Sequence, residues 1–244
     1  MLSPLIRKLE NFTALSDDDK RAIQDSTREI RQFGPREDII REGDKPDNVH
    51  LILEGWAARY KLLPEGERPI LAFLIPGDLC DIKVTLLDQM DHSIATLSPC
   101  KVAYLPRDKL ARIMEERPTL SRALWCSMLV DEAILREWLV TVGHRPANKR
   151  LAHFICEMML RSRAVGLSHD DGFSMPLTQE ELADTMGMTP VHANRMLKEL
   201  RDRHLIEIGR RRMIVKDLPR LIEFAYFNPN YLHQQAAGLL RERA

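Results

Sequence analysis

No apolar run in this 244-residue sequence approaches the roughly 18 residues of a membrane-spanning helix, and no signal-peptide pattern precedes Leu15. A cytoplasmic location with no membrane partner is the expectation. Net charge is absent as well: 36 Lys and Arg balance 36 Asp and Glu, so no global field draws the chain to a polyanion. The four cysteines, Cys80, Cys100, Cys126 and Cys156, form no C-x-x-C pair, which excludes a zinc-type spacing and favours buried thiols over disulfides. No H-x-H pair occurs either. His50, Glu54 and His92 are the only tempting ligands, too few for a three-histidine oxygenase site, so neither a metal nor another cofactor is expected. No nucleophile and base stand in a convincing arrangement, which argues against an enzyme.

What is present is a helix-turn-helix pattern between Pro176 and Arg203. Thr178 followed by Glu181 is a capping box, so a helix starts at Gln179, buries Leu182, Ala183 and Met186, and stops at Gly187. Thr189-Pro190 opens a second helix, since Thr is a good N-cap and proline lacks only an amide that would have no helical partner there. Ala193, Met196, Leu197 and Leu200 share one face of it, leaving Val191, His192, Arg195, Lys198 and Asp202 on the other. Arg can grip guanine with two hydrogen bonds and Lys can neutralise phosphate, so this outward row suits the major groove of double-stranded DNA. Two apolar runs, 205–208 and 213–215, then flank Gly209, Arg210, Arg211 and Arg212 as a hairpin wing with a basic tip for the phosphate backbone. From His144 to Lys216 there are about 13 basic and 9 acidic residues, a modest surplus of the right sign.

Upstream, residues 1 to 26 read as helical, with Ser16 capping a first turn of Asp17, Asp18 and Asp19. From Arg28 to about Leu105, Gly34, Gly43, Gly55, Gly66 and Gly77 punctuate short apolar stretches, as in a β-roll, sandwich or barrel. Val49, Leu51 and Leu53 should face one way and His50, Ile52 and Glu54 the other. The segment from Pro76 to Ala95, a glycine turn before a short helical piece, is the natural ligand position. Helical periodicity follows over 108–115, and after Pro118 a helix of roughly 24 residues runs from Thr119 to about Val142, spanning about 36 Å. Its stripe of Trp125, Met128, Leu135, Leu139 and Val142, with Leu124, Ile134 and Trp138 beside it, is too broad for one neighbour; it suggests packing on its own β domain and on the same helix of a second subunit. Gly143-His144-Arg145-Pro146 is the expected hinge, a bracing helix runs from Asn148 to about Arg163, and a helical tail from Pro219 to Arg243 breaks at Asn228-Pro229.

In this order of β-roll, long helix, hinge and winged helix-turn-helix, the chain resembles the Crp/Fnr family of bacterial transcription regulators over nearly its whole length, most specifically from Thr178 to Lys198. The resemblance implies an α+β fold in three parts: a cyclic-nucleotide-binding-like β-roll sensor over 1–117, a dimerisation helix and hinge over 118–143, and a winged helix-turn-helix with its tail over 144–244. It implies a homodimer on a palindromic operator, with half-sites about one helical turn apart. RNA polymerase would be a further partner of an activator, though no residue pattern marks that surface. Pro190-Val191 replaces the Arg-Glu that reads bases in the cyclic-AMP receptor branch, while Arg195 is kept, so a different operator is implied, with Val191 offering apolar contact to a thymine methyl and His192 a second polar contact.

The sensor departs further. The effector pocket implied by the resemblance comprises Gly77, Asp78, Ile82, His92 and Ser93. Ile82 stands where that branch has a ribose-binding Glu, and His92-Ser93 replaces its phosphate-binding Arg-Ser. The N-terminal cysteines of the iron-sulphur branch are missing too. An unknown effector, or none, is therefore expected. The rival reading is a small-molecule-binding regulatory module whose helical part docks onto a protein partner, with no steep salt dependence on DNA.

Overall fold

Ser16 starts the helix over residues 17–26 by closing a capping box. Its hydroxyl accepts the Asp19 N–H at 3.1 Å, and the Asp19 carboxylate accepts the Ser16 N–H at 3.2 Å. The computed structural model describes residues 4–27, 29–168 and 171–234. These fall into two units, one reaching Leu129 and the other spanning Val130–His233.

In the first unit, α1 (Pro4–Glu10) buries Leu5, Ile6 and Leu9, and α2 (Asp17–Ser26) follows. Seven strands come next: β1 (Glu29–Phe33), β2 (Asp38–Ile40), β3 (Asn48–Glu54), β4 (Ala57–Tyr60), β5 (Ile70–Leu74), β6 (Ser93–Thr96) and β7 (Cys100–Pro106). They form two antiparallel sheets, β1-β7-β3 and β2-β6-β4-β5, which make the β-roll. Val49, Leu51, Ile52, Leu74, Ile94, Val102 and Leu105 fill its core, with α3 (Arg107–Glu116) and the start of α4 (Pro118–His144) adding Leu110, Ile113, Leu120 and Leu124. The one-sided alternation expected of β3 is not found: Val49, His50, Leu51 and Ile52 are all buried. His50 tolerates this because its N–H and ring Nδ1 meet the Asp81 carboxylate at 2.8 and 2.6 Å, and Tyr104 packs edge-on against the ring.

The second unit contains the rest of α4, α5 (Ala147–Ala164), β8 (Gly172–Ser174), α6 (Gln179–Thr185), α7 (Pro190–Asp202), β9 (Ile206–Gly209), β10 (Arg212–Val215), α8 (Leu218–Ala225) and a 3-10 turn, Pro229–Leu232. Every residue of α5 from Leu151 to Ser162 is buried, and α6, α7 and α8 gather around that core. The antiparallel wing sheet has the order β8-β10-β9. Its strand β8 has no counterpart in the hairpin read from the sequence, because three residues, Gly172-Phe173-Ser174, are too short for a periodic signal.

The division inside α4 moves the expected boundary. Trp138 donates its indole N–H to the Glu157 carboxylate at 3.2 Å, and Arg145 pairs with Glu137 at 2.5 Å, so the end of α4 packs as part of the second unit. Glu157 is wholly buried and also accepts from Tyr231 Oη at 2.9 Å and Arg161 at 3.2 Å. Burial pushes its carboxyl above the usual range, while these three donors pull the other way. Helix α8 stops at Tyr226, which has a φ of 51°, and Phe227 and Tyr231 close over His153. Lys149 lies 3.9 Å from the Phe224 ring and 4.2 Å from that of Tyr226. The tail aromatics thus pack on their own unit; the part of the expected tail helix beyond Gln234 lies outside the described residues.

Candidate nucleic-acid interface

Two caps fix the helix pair. Thr178 Oγ1 accepts the Glu181 N–H at 3.1 Å and Glu181 returns to the Thr178 N–H at 2.8 Å, which starts α6 at Gln179. Gly187, with φ at 61°, turns the chain in a conformation that would strain a side chain, and Thr189 Oγ1 then accepts the His192 N–H at 3.3 Å to start α7 at Pro190. Ala193, Leu197 and Leu200 are buried, and Met196 is half-buried. The opposite face carries Val191, which is 80% exposed, with Arg195 and Lys198 exposed and His192 half-buried. Asn194 belongs to this face too and went unread in the sequence; its amide donates to Gln179 Oε1 at 2.8 Å, across from α7 to α6. Its position three residues after Val191 was the available signal, since residues three and four apart share a face of a 3.6-residue helix.

The wing corrects one expectation. Gly209 pairs with Arg212 in the β9-β10 ladder, so the tip is Arg210 and Arg211 alone, and Arg211 takes a φ of 56°. Arg212 lies in β10, half-buried, with its guanidinium against the backbone of Gly172 in β8. A three-stranded wing needs Arg212 in its ladder. Lys198, Arg210 and Arg211 have no carboxylate partner among the described residues, unlike Arg203 and Lys216, which pair with Glu199 and Glu207.

The five residues proposed for the effector pocket are not equivalent. Gly77 has a φ of 97°, and the main chain of Pro4 lies so close that a Cβ would come within 2.8 Å of its carbonyl oxygen. Asp78 is consumed by structure, accepting Lys8 Nζ and the Ile75 N–H, both at 2.8 Å. Ile82 is buried at the start of a four-residue 3-10 turn, too short to concentrate the N-terminal charge of a helix. Ser93 Oγ accepts the Glu42 N–H at 2.9 Å. His92 holds Asp91 through Nδ1 at 2.5 Å, and burial pulls its pKa below the ordinary value. Arg59 donates to the main-chain carbonyls of Leu79 and Cys80 at 3.1 to 3.2 Å. Among the described residues no group of three His, Cys, Asp or Glu is placed to hold a metal. Cys80, Cys100 and Cys156 are buried, and burial pushes the Cys100 thiol up to about 11.

On α4, Trp125, Leu135, Leu139 and Val142 are exposed and Met128 is half-buried. Leu124 and Trp138 are not on this surface: each is buried in its own unit, Leu124 in the β-roll core and Trp138 against Glu157. Leu129, 56% exposed, flanks the stripe and was missed.

Two family models match this architecture. The cyclic nucleotide-binding domain covers residues 30–117 and the Crp-like helix-turn-helix domain covers residues 149–224. The chain belongs to the Crp/Fnr family. It is similar to the transcriptional activator protein FnrL of Cereibacter sphaeroides, 26% identical over 87% of this chain and 86% of that protein. It is 29% identical to the nitrogen fixation regulation protein FixK of Bradyrhizobium diazoefficiens over 70% of this chain and 71% of that protein. The structure of FixK2 from Bradyrhizobium japonicum shares the fold, with a TM-score of 0.71 at 22% identity over 80% of this chain and 96% of that one. The chain is thus a Crp/Fnr-type transcription regulator with a helix-turn-helix DNA-binding domain, and no described helix is long and apolar enough to cross a membrane. Arg59 and Lys83 lie near enough to His92 to lower its pKa further by their charge, while the Arg59 guanidinium also donates to the Leu79 and Cys80 carbonyls.

Proposed function

We propose that the chain binds a two-fold-symmetric operator as a homodimer, reading bases with Val191, Asn194 and Arg195 and gripping phosphates with Lys198, Arg210 and Arg211, near the helix starts at Thr178, Gln179, Thr189 and Pro190. The observation that carries this reading is the outward face of α7: it is capped at its start, exposed along its length, and bears a free apolar group, an amide and a guanidinium in adjacent positions. These are the three chemistries that distinguish base pairs in the major groove. Dimerisation follows from α4. Trp125, Met128, Leu135, Leu139 and Val142 recur at alternating intervals of three and four around Glu132, the spacing of a coiled-coil seam, and four of these five are exposed in the single chain. No effector is assigned to the β-roll.

Sedimentation of the full-length protein with and without duplex DNA tests the assembly. Two chains per duplex, with affinity that falls steeply as salt rises, is the expected result. One chain per duplex would overturn the dimer, and salt-independent weak binding would favour docking on a protein partner instead.

A further inference from the structure

Arg195 does not stand alone on α7. Its Nη2 lies 2.7 Å from His192 Nδ1, one turn earlier on the same helix. The guanidinium can only donate, so Nδ1 is the acceptor, the imidazole is neutral and its proton sits on Nε2. The His192 backbone is itself fixed, because its N–H is the one taken by the Thr189 cap at 3.3 Å. The acid at helical spacing from Arg195 is Glu199, and it is engaged elsewhere: it accepts from Asn148 Nδ2 at 3.3 Å and from Arg203 Nε at 3.1 Å. The guanidinium is thus held by a neutral partner, which orients it without cancelling its charge. One of five N–H donors is used, and enough remain to form a two-bond fork to a guanine edge.

We propose that His192 is a positioning residue for Arg195, holding the guanidinium in its reading orientation before DNA arrives, rather than a base contact in its own right. This rests on the reading of α7 as the helix that enters the groove. A long flexible side chain loses rotamer freedom when it engages a base, and a partner that has already restricted it lowers that cost. The role is therefore confined to sites where Arg195 meets its base.

A double-mutant cycle on the full-length protein tests it, using the duplex that the unmodified protein enriches from a random pool and a scrambled duplex of equal length. His192→Ala should weaken the enriched duplex by roughly 3- to 10-fold per half-site and leave the scrambled one unchanged. His192→Gln, which keeps an acceptor, should restore most of the loss. In an Arg195→Ala background, His192→Ala should cost nothing more. An equal loss in both backgrounds would show an independent DNA contact and overturn the proposal while leaving the α7 reading intact. If Arg195→Ala alone changes neither affinity nor base preference, the α7 reading fails and the proposal with it. Unchanged thermal midpoints identify the losses as effects on binding.

Discussion

Arg195 and Arg210 carry the same charge but have different proposed roles, one towards bases and the other towards phosphates. Arg195→Ala should cost about 1–3 kcal/mol on the preferred site and relax base preference at one position, whereas Arg210→Ala should weaken all duplexes nearly equally and lower the salt slope by about 1 per half-site. Titration against preferred and scrambled duplexes at several salt concentrations separates the two. His153 gives a prediction in pH. Burial, and then the nearby Arg145, lowers its pKa to about 3, so the folded unit holds it neutral while the unfolded chain takes up a proton below about 6.5. The stability this confers is present above pH 6.5 and is lost as pH falls towards 3, with a slope of up to roughly 1.4 kcal/mol per pH unit. His153→Phe, which suits the aromatic surroundings of Phe227 and Tyr231, should flatten the dependence of the urea midpoint between pH 7 and pH 5. At this scale the sequence was most legible where the chemistry is local. The caps at Ser16, Thr178 and Thr189 follow from residues three apart and are present as read. Asp78 and Arg212 were misplaced because their partners, Lys8 and the Gly172 backbone, are distant in sequence.

Among the elements, α4 carries the strongest consequence. Leu139 is 76% exposed and makes little contribution to its own unit, so Leu139→Glu should leave the thermal midpoint of the monomer nearly unchanged yet shift the protein to monomers in sedimentation. Glu132 sits in the middle of the seam, paired only loosely with Arg136 at 3.6 Å. In a parallel pair of helices the two Glu132 side chains approach each other, so Glu132→Leu should strengthen association by about 1 kcal/mol or more. A weaker dimer would mean that the seam lies elsewhere on α4. The stripe was visible in the sequence as a repeat, but its inward neighbours were not. A helix apolar on more than one side offers no periodic signal for which side meets its own chain, and Leu124 and Trp138 were assigned to the wrong surface for that reason. The same limit applies to β3, where burial of both faces depends on Asp81 and Tyr104, residues far along the chain.

For the whole molecule, the order of its parts was legible because each has a distinct local grammar: glycine-punctuated strands, one long helix, then two capped short helices and a hairpin. Where the units divide was less so, since the end of α4 joins the second unit through Trp138 and Glu137, neither marked by any turn residue. His92 standing in place of the phosphate-binding Arg of the cyclic-AMP receptor branch leads to a direct expectation. Cyclic AMP at millimolar concentration should leave the thermal midpoint of the full-length protein unchanged, because a ligand that does not bind the folded state cannot stabilise it; a dose-dependent rise would contradict this reading of His92 and Arg59. The central claim is that two chains present two α7 helices to matching half-sites. Selection of bound duplexes from a random pool by the purified protein tests it most directly. Enrichment of a two-fold-symmetric motif, with half-site centres about 10 base pairs or one helical turn apart, is the expected result. An enriched motif without symmetry, or no enrichment at all, would contradict it.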